Sequence, residues 1–346
     1  MTTTTMPAII GIDLGKNWFH VVAIDAQGAV GARKKLSRGR LAEYAATTTP
    51  CVVAMEACPG SQFWGRVFTN AGHEVRILPA QFVKPYVKAN KNDYHDAAAI
   101  AEAGSRVSMR CVPLKSLEQL ELQALHRVRQ RVIRERTAVV NQMRALLLEH
   151  GIVVPLGRTI FERRLPDAFA DAERRLSPRL LTLLDRLRQR WVTLDQEIHD
   201  VTRELTLWAR QSPLCQRVET VPGIGPLIAT ATVAAVGDAR MFASGRDMAA
   251  WLGIVPAQFT TGGKPRLGHI SKRGNTYLRQ LLIQGAQSSF SALKRDQSAL
   301  GTWLRQVEAR RHRQVAVVAL ANKMIRICWK VLTSDEVYRP FPSAVV

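Results

Sequence analysis

Four carboxylates stand out by position. Gly11-Ile12-Asp13-Leu14-Gly15 ends a short apolar run on an aspartate and closes it with glycine. Val52-Val53-Ala54-Met55-Glu56 ends a second apolar run on a glutamate. Lys91-Asn92-Asp93-Tyr94-His95-Asp96 opens an alanine-rich stretch with two aspartates three apart, which a helix would carry on one face. Hard cations such as Mg²⁺ or Mn²⁺ prefer oxygen ligands, and a pair of them can clamp the attacking and leaving oxygens of a phosphate. Carboxylates gathered this closely would repel one another without a cation. Each residue alone has a plainer reading, since Asp13 can be a turn residue and Asp93 a helix cap. The ordered set Asp13, Glu56, Asp93 and Asp96, on strand, strand and helix, points to metal-assisted phosphoryl transfer. His95 would face away from both neighbouring aspartates and is given no chemical role.

Such a set needs a sheet and a helix to hold it. Ala8–Asp13, Trp18–Asp25, Cys51–Glu56 and His73–Leu78 read as strands, and Ser61–Ala71 and Asp93–Ala103 as helices. Alternation of the two predicts a mixed sheet covered by helices over residues 1–112. The pattern then changes. Leu117, Leu120, Ala124, Val128, Val132, Val139, Met143 and Leu146 form a helical stripe, and Gly151 to Pro178 interrupts it. From Leu180 to Trp208 apolar residues alternate four and three apart, a heptad seam that includes Trp191. Residues 113–212 therefore predict a long helical hairpin, or a coiled coil with another chain. Arg127, Arg129, Arg131, Arg134 and Arg136 lie on it as a solvated face or as phosphate contacts. Residues 213–335 predict a mainly helical third domain, and 336–346 a tail.

The chain has 346 residues and a formal net charge of +21, from 49 Lys and Arg against 28 Asp and Glu. That balance predicts a polyanionic partner, DNA or RNA. No apolar run is long enough to span a membrane, and the N-terminus lacks a signal-peptide pattern, so a cytoplasmic, nucleoid-associated protein is expected. The five cysteines make no zinc-ligand spacing.

The third domain adds binding signals. Val221-Pro222-Gly223-Ile224-Gly225 resembles a helix–hairpin–helix turn, whose Gly223 and Gly225 would let amides approach a phosphate. A glycine-rich basic loop follows at 260–275. Met248 to Arg295 holds seven Lys or Arg (264, 266, 272, 273, 279, 294 and 295) and no Asp or Glu. Lys264, Arg266, Lys272 and Arg273 are the expected phosphate contacts, with Ser271 at a helix start beside them. Arg310-Arg311-His312-Arg313 is a further basic patch.

The order GIDxGK, MEAC-PG, KND-x-x-D-A-x-x-IA, then VPGIGPLIA, WLGIVP and TTGGKPRLGHISKRGN resembles the DEDD transposases of insertion-sequence family 110, in the subgroup typified by element 1111. The resemblance covers nearly the whole chain. It implies an α/β RuvC-like (ribonuclease-H-like) N-terminal domain in which Asp13, Glu56, Asp93 and Asp96 bind Mg²⁺ near the scissile phosphate. It also implies a hydroxyl nucleophile in the glycine-rich loop, a site composed from two subunits of a homo-oligomer (dimer or tetramer), and a noncoding guide RNA that pairs with the element ends and target DNA. The family's serine is absent. Alignment from Pro256 places Thr261 there, and alignment back from Ser271-Lys272 places Thr260. Ser271 as nucleophile, and no covalent nucleophile, stay open. Two other functions stay open beside this one: a RuvC-like structure-selective DNA nuclease and a non-catalytic nucleic-acid-binding scaffold.

Overall fold

The computed structural model describes residues 8–87, 92–295 and 298–340, and divides the chain into two compact units, residues 1–116 and 117–346. The N-terminal residues 1–7, Lys91, the Lys294 side chain and residues 341–346 of the expected tail lie outside the described residues.

In the first unit, β1 (Ile9–Leu14) and β2 (Trp18–Ile24) form a hairpin that pairs Asp13 with His20. Next come β3 (Val30–Ser37), α1 (Arg38–Thr47), β4 (Val52–Glu56), α2 (Ser61–Asn70), β5 (Glu74–Leu78), the short α3 (Ala80–Val83) and α4 (Asp93–Gly104). The sheet order is β3-β2-β1-β4-β5, with β1, β4 and β5 parallel and β2 and β3 antiparallel. Side-chain alternation builds one core on each face. Ile10, Ile12, Phe19, Val21, Val53 and Met55 pack with Leu41 of α1 and with Trp64 and Phe68 of α2. Ile9, Val22, Ala54 and Leu78 pack under Ala97, Ile100 and Ala101 of α4.

Strand β3 and helix α1 are absent from the sequence expectation. β3 is an edge strand, exposed along most of its length, and its VGARKKLS carries no apolar alternation to mark it.

The second unit opens with α5 (Leu117–Glu149), α6 (Arg158–Arg175) and α7 (Pro178–Gln211). The heptad seam of α7 is spent within the chain. Leu184, Leu187 and Trp191 meet Met143 and Leu147 of α5 and Phe161 and Leu165 of α6; Leu194 and Ile198 meet Val132; Leu205 and Trp208 meet Leu122 and Ala234. The interruption expected between the two long helices is itself a helix. Pro166 sits inside α6, where a proline ordinarily argues against one. Three of the five α5 arginines have protein partners. Arg129 donates to Thr202 at 2.8 Å, Arg131 pairs with Glu135, and Arg136 bonds Asp195 at 2.7 Å. Arg127 and Arg134 stay exposed.

Beyond the bundle run α8 (Pro213–Glu219), α9 (Pro226–Val236), α10 (Gly245–Leu252), β6 (Pro256–Thr261), β7 (Lys264–Ile270), α11 (Thr276–Arg295), α12 (Ala299–Glu308) and α13 (Arg313–Thr333). Their apolar faces close around Val221, Leu252, Leu282, Leu320 and Met324. The helical bundle and this region make one unit, where the sequence suggested two domains. The expected basic loop is a two-stranded hairpin turned by Gly262 and Gly263, both at positive φ (58° and 74°). Two such residues form the turn type that matches strand twist, which is why glycine density here marks a hairpin and not an open loop.

Candidate active site

Asp13 ends β1, and His20 stands directly across from it on β2. Glu56 ends the neighbouring parallel strand β4. Asp93 and Asp96 lie in the first turn of α4. What lets α4 reach the sheet is Gly11. A Cβ there would overlap the carbonyl oxygen of Ala97 and the amide nitrogen of Ala101. Asp93 is not the helix cap. Asn92 takes that role, its side chain accepting from the Tyr94 N–H at 2.9 Å, which leaves both aspartate carboxylates available.

Asp13 feels the other three carboxylates. Burial raises the Asp13 pKa above the usual carboxylate value, and the charges of Asp96, Asp93 and Glu56 raise it further, while His20 opposes them. Glu56 is raised too, by burial and then by Asp96. Carboxylates whose ionisation is opposed by neighbouring negative charge, as at Asp13 and Glu56, are ones that a cation would stabilise. Potential ligand atoms of Asp13, His20 and Asp93 all lie within 4.8 Å of one another. This group holds two of the four carboxylates and leaves out Glu56 and Asp96; its carboxylate oxygens and one imidazole fit a divalent cation.

His20 is the residue that sequence reasoning missed. It is buried, its Nδ1 lies 3.4 Å from Asp93 Oδ2, and its ring stands edge-on to Tyr94 at 4.9 Å. Its signal was present as the one ionisable residue in an otherwise apolar strand, but the strand register was needed to put it opposite Asp13. His95 is exposed on α4.

The binding residues of the second unit separate into those left open and those used in packing. Thr260 and Thr261 are exposed near the tip of the β6–β7 hairpin. Alternation puts them on opposite faces. Register places Thr261 with Phe259, Lys264 and Arg266, and Thr260 with Gln258, Pro265 and Leu267. Gln258 Nε2 donates to Thr260 Oγ1 at 2.9 Å. Lys264, Arg266, Lys272 and Arg273 are all exposed.

Gly223 packs against α11. It has φ 83°, and a Cβ there would crowd Ser289 Oγ and the Gly285 carbonyl of α11, so glycine is required here for close packing. Gly225 is open, with nothing within 4 Å of a Cβ position. Ser271 does not start the following helix. Asn275 does, accepting from Leu278 N–H at 3.1 Å, while the Ser271 and Lys272 amides are bound to Val255 O and Gly253 O. Arg279 is buried and donates to Leu252 O and Arg273 O at 2.9 and 3.0 Å, which makes it a staple under the motif.

Comparison with known proteins bears on both halves of the sequence. Residues 10–152 match a transposase model of the DEDD type from the IS110 group, and residues 215–300 match the model described as transposase IS116/IS110/IS902 family. A probable family 20 transposase of Pseudomonas aeruginosa is 44% identical over 332 residues, covering 96% of this chain and 98% of its own. The transposase for insertion sequence element IS1328 of Yersinia enterocolitica is 42% identical over 330 residues (95% and 98%). That for IS1111A of Coxiella burnetii is 40% identical over 331 residues (96% and 91%).

Proposed function

This chain belongs to the IS110 family of DEDD transposases, enzymes that cleave and recombine DNA, and from that premise we propose a division of its chemistry between an acidic cluster and a threonine hairpin. The observation that carries the reading is that Asp93, Asp96 and Glu56, from a helix and a second strand, all come within electrostatic range of Asp13. The mixed sheet in the order β3-β2-β1-β4-β5, with an acidic residue ending each of its two central parallel strands, supports a ribonuclease-H-like, RuvC-like domain.

In this reading Asp13, Glu56, Asp93 and Asp96 hold Mg²⁺ or Mn²⁺. The cation, when bound, supplies positive charge against the phosphate oxygens. His20 fixes the Asp93 carboxylate. Lys264, Arg266, Lys272 and Arg273 hold neighbouring phosphates in place. The Thr260 or Thr261 hydroxyl gives up its proton and attacks phosphorus. An Oγ–P bond forms as the bond from phosphorus to one deoxyribose oxygen breaks, and that oxygen takes a proton. Attack on the same phosphorus by another DNA end reverses the step, so joining needs no outside energy source. The cluster of one copy works with the hairpin of another in a homo-oligomer, a dimer or tetramer. A noncoding RNA from the element selects the element ends and target by base pairing.

The test is purification from cells carrying the complete element, with sequencing of copurified RNA and an excision assay. Asp13→Ala is expected to abolish excision, and the RNA to map to the element's own end. Excision by Asp13→Ala would sink the acidic site, and absence of an element RNA would sink guidance. Cut but never joined products would favour a structure-selective nuclease. Covalent protein–DNA product undiminished in the Thr260→Ala, Thr261→Ala double variant would remove the threonines.

A further inference from the structure

A groove of about 1820 Å³ lies within the second unit, between one face of α13, the base of the β6–β7 hairpin and the start of α10. Helix α13 carries Arg313, Lys323, Arg326 and Lys330 and no Asp or Glu. Of these, Lys323, Arg326 and Lys330 line the groove, and Arg246, Lys272 and Arg339 complete the cationic lining. Among the described residues, none of the six groove cations forms an ion pair with a carboxylate, although Asp335 and Glu336 also line the groove. Asp335 at the rim is already bonded to Arg217 at 2.8 Å. Lys323 lies instead over the Trp303 ring, 4.2 Å from its centroid. Burial, with Arg326 beside it, lowers its pKa.

Lys272 adds a second observation. Among the described residues it alone, apart from glycines, has positive φ (54°). That conformation costs a side-chain-bearing residue about 1–2 kcal/mol and suits glycine better. The backbone is held there by its N–H to Gly253 O at 3.0 Å, and the side chain lines the groove. Strain of this kind persists where a side chain is useful. Apolar side chains share the lining with polar ones such as Gln314, Asn322 and Glu336: Val315 is half exposed, and Val318, Ile254 and Trp303 lie alongside.

Cations without counter-ions call for phosphates. Apolar walls call for bases, and bases are available only on an unpaired strand, because a duplex stacks them inside and offers phosphates alone. We propose that this groove binds single-stranded DNA, with phosphates on Lys272, Arg326 and Lys330 and bases against Val315, Val318 and Trp303. The inference rests on the DNA-cleaving reading above, because strand cleavage and exchange are what would deliver an unpaired strand to the base of the threonine hairpin.

The test uses the full-length protein in EDTA, so that binding is read without cleavage. Fluorescence anisotropy would follow a labelled 15-nucleotide DNA strand, its duplex and the same sequence as RNA. Val315→Glu is expected to weaken single-strand binding about tenfold and duplex binding less than about threefold. Arg326→Ala with Lys330→Ala should lower the single-strand salt slope by about 1.4, for two phosphates lost. Lys272→Gly removes a cation while relieving the backbone, so its unfolding temperature should hold or rise as single-strand affinity falls. That variant keeps the test decisive if Val315→Glu misfolds. Equal losses for strand and duplex, no loss for either, or a loss confined to RNA would each overturn the proposal. None of these results depends on the Asp13→Ala excision assay, so the acidic site can stand or fall separately.

Discussion

At the scale of single residues, the site turns on which side chain positions which. His20 touches Asp93 and faces Asp13, yet it stands outside the four carboxylates. His20→Ala is expected to lower metal affinity and excision together by about 10–100-fold, the range for loss of a ligand-orienting partner. Calorimetric titration with Mn²⁺ beside the excision assay checks this, and unchanged metal affinity would refute it. The two threonines offer a sharper discrimination. Adjacent strand residues face opposite ways, so only one hydroxyl at a time can address a phosphate held by Lys264 and Arg266. One single Ala substitution should abolish covalent product and the other should leave most of it. Equal partial losses in both would argue against either acting as the nucleophile. Thr261 shares the cationic face, and Thr260 accepts from Gln258, so the result also says whether charge or hydrogen bonding selects the attacking group.

At the scale of elements, the contact of α4 with β1 decides whether the carboxylates meet. Gly11→Ala would force the helix off the strand. It should cost about 1–3 kcal/mol in urea unfolding, as overpacking does, and should cut excision with all four carboxylates intact. A stable, fully active Gly11→Ala would show that the approach is not needed. A second joint is buried where α5 meets α9 and α11. His126 Nδ1 lies 3.0 Å from Tyr277 Oη and Nε2 3.0 Å from Thr230 Oγ1. Burial, with Arg129, depresses its pKa to about 4. The folded state therefore keeps His126 neutral where the unfolded chain, titrating near 6.5, takes a proton. Its contribution is complete above about pH 6.5 and is lost as pH falls towards about 4, by about 3 kcal/mol in all. His126→Gln should remove that part of the pH dependence, measurable as the difference between wild-type and variant unfolding curves.

The same elements show what a sequence can reveal. Asp13 and Glu56 were legible because each ends an apolar run, and Asp93 and Asp96 because helical spacing aligns them. His20 was not, because its partnership depends on strand register. β3 was hidden by being an exposed edge, and α6 by Pro166. The β6–β7 hairpin was hidden because Gly262-Gly263 marks a turn without saying what flanks it. The packing role of Gly223 was not legible because a glycine in sequence does not say which helix it crosses; the contact with α11 supplies that.

At the scale of the whole molecule, two compact units predict two unfolding transitions. Leu194 is fully buried between α5 and α7, and Leu194→Ala should lower one transition by about 2–5 kcal/mol and leave the other in place. A single transition that shifts as one would show that the units unfold together. The chain's charge of +21 bears on more than its DNA partner. The five-stranded sheet has two open margins, managed differently. β5 is partly capped by the Ile77–Val112 bridge, whereas β3 is left bare but carries Arg33, Lys34 and Lys35. A bare margin is a template on which a second copy can add its own strand, and like charge on both copies discourages this. The safeguard is electrostatic, so it weakens when a polyanion neutralises it. Crowding several copies on too little nucleic acid would remove it, and self-association there should begin at β3.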